Sequence, residues 1–227
     1  MTFVFPPAPL PRVPVVGAAD FPVHRIYCVG LNYPSHVAEM NGGQATGVPI
    51  FFMKPADAVF PNHAAMPYPP ATENLHYEAE LVVALGCGGT DMSTEAAEDA
   101  IYGYAAGLDM TRRDLQIAAR EKGEPWEIAK SFDHSAPISA ISPRSQTGLL
   151  HAGDIRLSVN GVVRQTGNIR DMIWSAAEII RHLSRMVTLA PGDLVFTGTP
   201  AGVGPVTHGD QIVVQIADLE ILEISIA

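Results

Sequence analysis

The chain has only two cysteines, Cys28 and Cys87, in 227 residues. Two are too few for a disulfide framework, and their spacing matches no zinc motif. Both therefore read as small core residues, and the expected compartment is a reducing cytoplasm. Basic side chains are also scarce: 14 Lys and Arg stand against 24 Asp and Glu, a formal net charge of -10. Such a field repels a phosphate backbone and suits a cation, which argues against nucleic acid as a partner. No uncharged run reaches the ~18 residues that cross a bilayer. The opening MTFVFPPAPLPRVPVVG lacks a basic leader region and is broken by Pro6, Pro7, Pro9, Pro11 and Pro14, so neither membrane span nor signal peptide is expected. No Gly-x-Ser-x-Gly elbow occurs, which removes serine-hydrolase chemistry. TGTPAGVG, residues 197–204, is followed by no Gly-Lys-Ser/Thr and so is not a nucleotide loop.

What the chain does have is 47% hydrophobic residues, 20 Gly and 19 Pro. That composition favours short strands and frequent turns over a helical bundle. Residues 1–24 read as an extended proline-rich arm, since proline removes backbone donors and fixes φ. Residues 25–227 read as a single domain. HRIYCVGL and PIFFMKP predict strands, with a short helix between them capped by Ser35 and stopped by Gly42 or Gly43. STEAAEDAI predicts a helix, YGYAAGLD a strand ending in Asp109, and TRRDLQIAARE a helix capped by Thr111. Asn160 and Gly161 supply the positive φ angles of a tight hairpin. DMIWSAAEIIRHLSRM predicts the longest amphipathic helix, with Ile173, Ala177, Ile180 and Leu183 or Ser184 on one stripe. Asp154, Asp193 and Asp210 follow glycine ahead of apolar strands and read as turn formers. Strands outnumber helices without alternating one for one, so the expected class is mixed α+β around a large, curved β core.

The chemistry concentrates in NLHYEAELVVALG. Glu78 and Glu80 occupy alternate strand positions and share a face. Burial beside Val82, Val83 and Leu85 would cost several kcal/mol per unpaired charge, on the order usual for buried ions, and a divalent cation removes that cost. Asp109, at the end of a second apolar strand, offers a third oxygen. An all-carboxylate set suits Mg²⁺ or Mn²⁺. The pattern also fits an edge strand with its glutamates in water, and His76 continues the same face in either case. His36 and Glu39, spaced i, i+3, have the outline of a general-base dyad or of two exposed side chains on a loop-flanking helix. Lys130 follows apolar neighbours, either as a snorkelling surface residue or as a cation beside a developing oxyanion. In TGTPAGVG the glycines permit close backbone approach to a ligand, with Thr197 or Thr199 offering a hydroxyl.

Seven blocks, CVGLNYPSHVAEM, FFMKPADAV, HYEAEL, GYAAGLDMTRRDLQ, GEPWEIAKSFDHSAPI, SVNGVVRQTG and LVFTGTPAGVGPV, together resemble the fumarylacetoacetate hydrolase superfamily, in its acylpyruvate hydrolase branch. The match runs in family order from about residue 25 onward. The resemblance implies a mixed β-roll, a homodimer, and hydrolysis of a carbon-carbon bond in a 2,4-diketo acid. The expected substrate is fumarylpyruvate, from aromatic degradation through gentisate. It assigns Glu78, Glu80 and Asp109 to the metal, His36 and Glu39 to water activation, Lys130 to a catalytic contact with substrate, and Arg113, Gln116 and Thr199 to substrate binding. Relatives often have arginine where this chain has Leu31, which leaves the acyl group open. Oxaloacetate decarboxylation, a hydratase or isomerase reaction, and metal-dependent dicarboxylate binding without catalysis are the alternatives.

Overall fold

The structure is a computed structural model that describes residues 2–41 and 47–227. Its centre is a six-stranded sheet in the order Ser142–Pro143, Ile101–Leu108, Ala79–Leu85, Asp193–Phe196, Arg25–Gly30 and Ile50–Lys54. All neighbours are antiparallel except Asp193–Phe196 beside Arg25–Gly30. A five-stranded sheet, ordered Val162–Asn168, Asp154–Val159, Gln211–Ile216, Leu222–Ile226 and Ala64–Met66, packs across it. A small three-stranded sheet joins Thr111–Arg112, Leu75–Tyr77 and Gly204–Val206. This is the mixed α+β architecture expected, with few helices around curved sheets.

The alternation of side chains along each strand explains where the core sits. Leu81, Val83, Leu85, Tyr27, Val29 and Val195 point to one face of the central sheet, where they meet Ile155, Leu157, Ile212, Val214 and Ile224 of the second sheet. Val82, Ala84, Ile26, Cys28, Leu194 and Phe196 point to the other face. Every residue of Ala79–Leu85 is buried, so the strand carrying Glu80 is central. The alternative of a half-exposed edge strand is thereby excluded.

Part of the proline-rich N-terminal segment is paired: Arg12–Val15 and Ala18–Pro22 form a hairpin turning at Gly17, whose φ is +70°. Val13, Val15 and Phe21 of this hairpin cover the second face of the central sheet. The sequence pattern shows proline; only the fold supplies the apolar surface that these three residues bury.

The hairpin at Asn160 and Gly161 forms as expected, with φ of +51° and +78°. Several helix ends differ from expectation. The first helix spans Pro34–Asn41, with Pro34 in the first turn where a missing N–H costs nothing. Ser35 lies inside it, not at its cap, and Gly42 and Gly43 fall outside the described residues. Thr111 does not cap the helix Arg113–Lys122; Arg112 precedes it, and Thr111 donates its hydroxyl to the Asp109 carbonyl instead. The helix predicted over residues 171–186 is confined to Ala176–Ser184 by a capping box of Ser175 and Glu178. Ile173 therefore precedes it, while Ala177, Ile179, Ile180 and Leu183 are buried. Asp193 does more than form a turn: fully buried, it takes a bidentate pair from Arg25 at 3.0 and 2.8 Å.

Candidate active site

The strand pair Ala79–Leu85 and Ile101–Leu108 ends where chemistry begins. Ala79 faces Leu108 in register, and the Asp109 N–H donates to the Glu78 carbonyl at 2.9 Å. Glu78 and Asp109 thus leave the end of the same ladder together, with Glu80 two residues inside it. One oxygen from each of Glu78, Glu80 and Asp109 lies within 4.8 Å of the others, and all three residues are buried.

Their partners divide the charge unevenly. Lys130 Nζ donates to Glu78 Oε2, Asp109 Oδ2 and Thr111 Oγ1, each at 2.7 Å. Arg113 donates to Glu78 Oε1. Lys54 Nζ stands 2.8 Å from Asp109 Oδ1 but out of line for a hydrogen bond, and it donates to the carbonyls of Met110 and Lys130. Asp109 Oδ1 is left as a buried oxygen without a hydrogen-bond donor. Glu80 has a single backbone donor, Gly198 N–H at 2.7 Å.

Electrostatics follow from this geometry. Burial by itself would raise the Glu78 carboxyl, but Lys130 and Arg113 overcome it and hold Glu78 well below the ordinary range. Glu80 goes the other way: burial, then repulsion from Asp109 and Glu78, pushes its carboxyl well above the ordinary range. Burial works against the Lys130 ammonium, yet Asp109 and Glu78 keep its pKa raised. Glu80, with one backbone donor, and Asp109 Oδ1, ion-paired with Lys54 but accepting no hydrogen bond, leave oxygen lone pairs that a hard divalent cation satisfies, and an oxygen-only donor set fits Mg²⁺ or Mn²⁺.

These groups open into a cavity of about 250 Å³ lined by Glu78, Glu80, Asp109, Lys130, Arg113, Gln116, Thr199 and His36. Val29, Leu31, Met40, Ile50, Phe52 and Trp126 supply its apolar walls. His36 is 5% exposed, with Nδ1 3.0 Å from Glu39 Oε2. Glu39 Oε1 accepts the Gly202 N–H at 3.0 Å, which ties the first helix to the TGTPAGVG loop. Arg113 and Gln116 meet one turn apart on their helix: the guanidinium donates to Gln116 Oε1, leaving the Gln116 N–H groups for other partners. His76 stands behind this pair. Arg113 Nε reaches its Nδ1 at 3.4 Å, and burial with that positive charge lowers its pKa to about 4.

The nine side chains that the family resemblance assigns to the site are therefore near this cavity, eight lining it and Glu39 holding His36 from behind. The three ammonium protons of Lys130 have three protein acceptors, Glu78, Asp109 and Thr111. Thr197 does not line the cavity; its hydroxyl donates to the Leu81 carbonyl. Four participants were missed. Lys54 is 1% exposed, and its one signal was a charge closing the apolar strand IFFMK. Asn32 is fully buried and bolts the chain before the first helix to Thr197 and Trp174 through three hydrogen bonds. Gln165, also fully buried, carried no local signal. Arg120 shares the cavity with Arg113 and Gln116 at i, i+3, i+7 spacing, a stripe readable from TRRDLQIAAR.

The chain is similar to several known proteins. A fumarylpyruvate hydrolase from Ralstonia sp is 44% identical over 78% of this chain and 92% of its own. An oxaloacetate tautomerase of Mus musculus is also 44% identical, over 83% of this chain and 85% of its own. The crystal structure of fumarylpyruvate hydrolase from Pseudomonas aeruginosa in complex with Mn²⁺ and pyruvate superposes with a TM-score of 0.96. It is 48% identical, covering 100% of this chain and 99% of that one. The family model described as fumarylacetoacetate hydrolase C-terminal matches residues 25–227, from the strand Arg25–Gly30 through both sheets, and the chain belongs to that family.

Proposed function

We propose that the protein is an acylpyruvate hydrolase, acting on fumarylpyruvate to give fumarate and pyruvate at a late step of aromatic-ring degradation. The observation that carries this reading is a buried acidic trio sharing one cavity with an imidazole that its own carboxylate orients. Mg²⁺ or Mn²⁺ held by Glu78, Glu80 and Asp109 would supply a Lewis acid that draws electrons from a 2-oxo acid.

The chain's own residues account for the rest. Glu39 fixes His36 with Nδ1 engaged, so Nε2 is the nitrogen free to take a proton from water. That water adds to the C4 carbonyl; the C3–C4 bond breaks, and its electron pair passes to C3 of the pyruvate unit. The proton held by His36 returns to C3, so one water is consumed and two acids leave. Lys130 and Arg113 keep Glu78 ionised and oppose the negative charge that develops nearby. Gln116 and Thr199 offer donors to the oxo-acid end.

The acyl tail distinguishes the substrates. Arg120 lies seven residues beyond Arg113 on one helix, roughly 10 Å along its axis at 1.5 Å per residue, and it lines the same cavity. Fumarylpyruvate carries a second carboxylate at the end of its acyl tail, and Arg120 is the further cationic residue lining the cavity that suits it; oxaloacetate, with four carbons, is the shorter diacid. The second reading, oxaloacetate turnover, is supported by the tautomerase relatives. The deciding experiment is a panel of fumarylpyruvate, maleylpyruvate, acetylpyruvate and oxaloacetate assayed with Mg²⁺ and with Mn²⁺. The hydrolase reading requires the highest kcat/KM on fumarylpyruvate and none after chelation. Preference for oxaloacetate, without carbon-carbon cleavage of the diketo acids, defeats it.

A homodimer is part of the same proposal. Phe3, Val4, Phe5 and Leu10 are 61, 100, 75 and 67% exposed, an apolar surface suited to a second copy. Light scattering giving a monomer at working concentration would remove it. Among the described residues no helix is long and apolar enough to cross a membrane. Cys28 is a buried core residue as expected, whereas Cys87 is exposed and not part of the core; both are unpaired, which suits the reducing cytoplasm proposed as its location.

A further inference from the structure

We infer that Gln165, on the second sheet, is a positioning residue that fixes the Thr199 hydroxyl as a hydrogen-bond donor toward the carboxylate of an oxo acid in the cavity. This deepens the hydrolase reading and rests on it for the identity of the ligand, though not for the geometry.

Gln165 is the one fully buried side chain on the strand Val162–Asn168. A register irregularity in the pairing with Asp154–Val159 lies just before it, between the pairs Ser158 with Val163 and Leu157 with Gln165. Such bulges re-aim a side chain. The TGTPAGVG loop is moulded onto this strand: a Cβ on Gly202 would stand 2.2 Å from the Arg164 carbonyl, and one on Gly167 would stand 2.7 Å from Pro200.

The amide has one possible orientation. Gln165 Oε1 accepts the Ala79 N–H at 2.9 Å, which only an oxygen can do. Nε2 must then face the loop, where it donates to Thr199 Oγ1 and to the Pro200 carbonyl, both at 2.8 Å. The Pro200 carbonyl is an acceptor only, which confirms the assignment. Thr199 Oγ1 is consequently an acceptor toward Gln165, and its own proton is left for another partner. Thr199 is 2% exposed and lines the cavity. Among the described residues its proton has no protein acceptor, so an anionic ligand oxygen is the group it serves. Ala79 sits between Glu78 and Glu80, so one buried amide sets both the floor of the site and the hydroxyl above it.

The test is calorimetric titration of oxalate into the Mn²⁺-loaded protein, alongside KM and kcat for fumarylpyruvate. Gln165→Met, Gln165→Glu and Thr199→Val are compared, together with the Gln165→Met/Thr199→Val pair. Gln165→Glu keeps an acceptor for Ala79 but offers none of the amide protons, so Thr199 turns to donate to it. Each single variant is expected to weaken oxalate about tenfold and raise KM by a similar factor, with kcat changed less. The double variant is expected to be no weaker than Thr199→Val alone. Independent, multiplying losses in the double variant would overturn the proposal, as would unchanged oxalate affinity in Gln165→Glu. If Gln165→Met does not fold, the comparison of Gln165→Glu with Thr199→Val decides. Because binding is read without turnover, an absence of fumarylpyruvate hydrolysis by the unaltered protein would count against the hydrolase reading and leave this result interpretable.

Discussion

Glu39 holds His36 with one oxygen and the glycine-rich loop with the other: Oε2 lies 3.0 Å from His36 Nδ1, and Oε1 accepts the Gly202 N–H at 3.0 Å. One carboxylate therefore sets the tautomer of the imidazole and its distance from the loop that bears Thr199. His36→Ala is expected to lower kcat on acylpyruvates by about 100-fold or more, the usual worth of a general base. Glu39→Gln should cost less, because an amide oxygen still accepts from Nδ1. Loss of diketo-acid absorbance measures both, and Mn²⁺ affinity should stay near that of the unaltered protein. Full activity in His36→Ala would assign the base elsewhere.

Glu80 is expected to make the protein's stability depend jointly on cation and pH. Its carboxyl is raised well above 4.5 by burial and by its two acidic neighbours, so the native state keeps a proton that the unfolded chain releases. The resulting stability is complete below the ordinary glutamate value and is lost as pH rises toward the folded value, with a limiting slope of about 1.4 kcal/mol per pH unit. Thermal melts without divalent cation are expected to fall across that window. Mn²⁺ should reverse the fall by binding the ionised trio. Glu80→Gln should flatten the cation-free profile and abolish the Mn²⁺ response.

His76 acts at the acid limb. Its folded pKa of about 4 lies below the ordinary 6.5, chiefly through burial and then through Arg113. A depressed value means stability present above 6.5 and lost as pH falls from there through 4. Since the ring is only partly shielded, screening reduces the effect to on the order of 1–2 kcal/mol. His76→Asn should remove that part of the acid slope in urea titrations at pH 4 and pH 7. Identical slopes with and without the histidine would contradict the assignment.

Gly198 carries the N–H that reaches Glu80, with φ of +94° and room for no more than hydrogen. A Cβ there would stand 2.8 Å from Asn32 Cβ and 3.2 Å from the Val29 carbonyl. Gly198→Ala is expected to destabilise by about 2–4 kcal/mol through combined backbone strain and overpacking, and to weaken Mn²⁺ binding. Gly209 has a similar φ of +87° but open space around it. Gly209→Ala should therefore cost only the strain, about 1 kcal/mol, and leave metal affinity alone. Equal losses at the two positions would mean that the crowding at Gly198 is not decisive.

Much of this protein is legible from short stretches. Alternation in EAELVV places Glu78 and Glu80 on one face, Asn160 and Gly161 impose a hairpin, and the spacing of His36 and Glu39 makes them neighbours on a helix. Each of these depends on periods of two to four residues, which local backbone geometry enforces wherever the segment sits. The helix ends were less legible, because Ser35 and Thr111 have cap-forming side chains that the surrounding fold uses for other hydrogen bonds.

The sequence by itself determined the acidic, oxygen-only donor set, the α+β class and most of the side chains that meet at the cavity. The tertiary structure alone decided which cations meet which carboxylates. Gln165 and Ala79 are 86 residues apart, and Lys54 meets the Met110 carbonyl across 56. Nothing in a local pattern encodes such distances. They are set when two sheets pack and exclude water, since only then does an unpaired amide or ammonium become costly enough to require one specific partner.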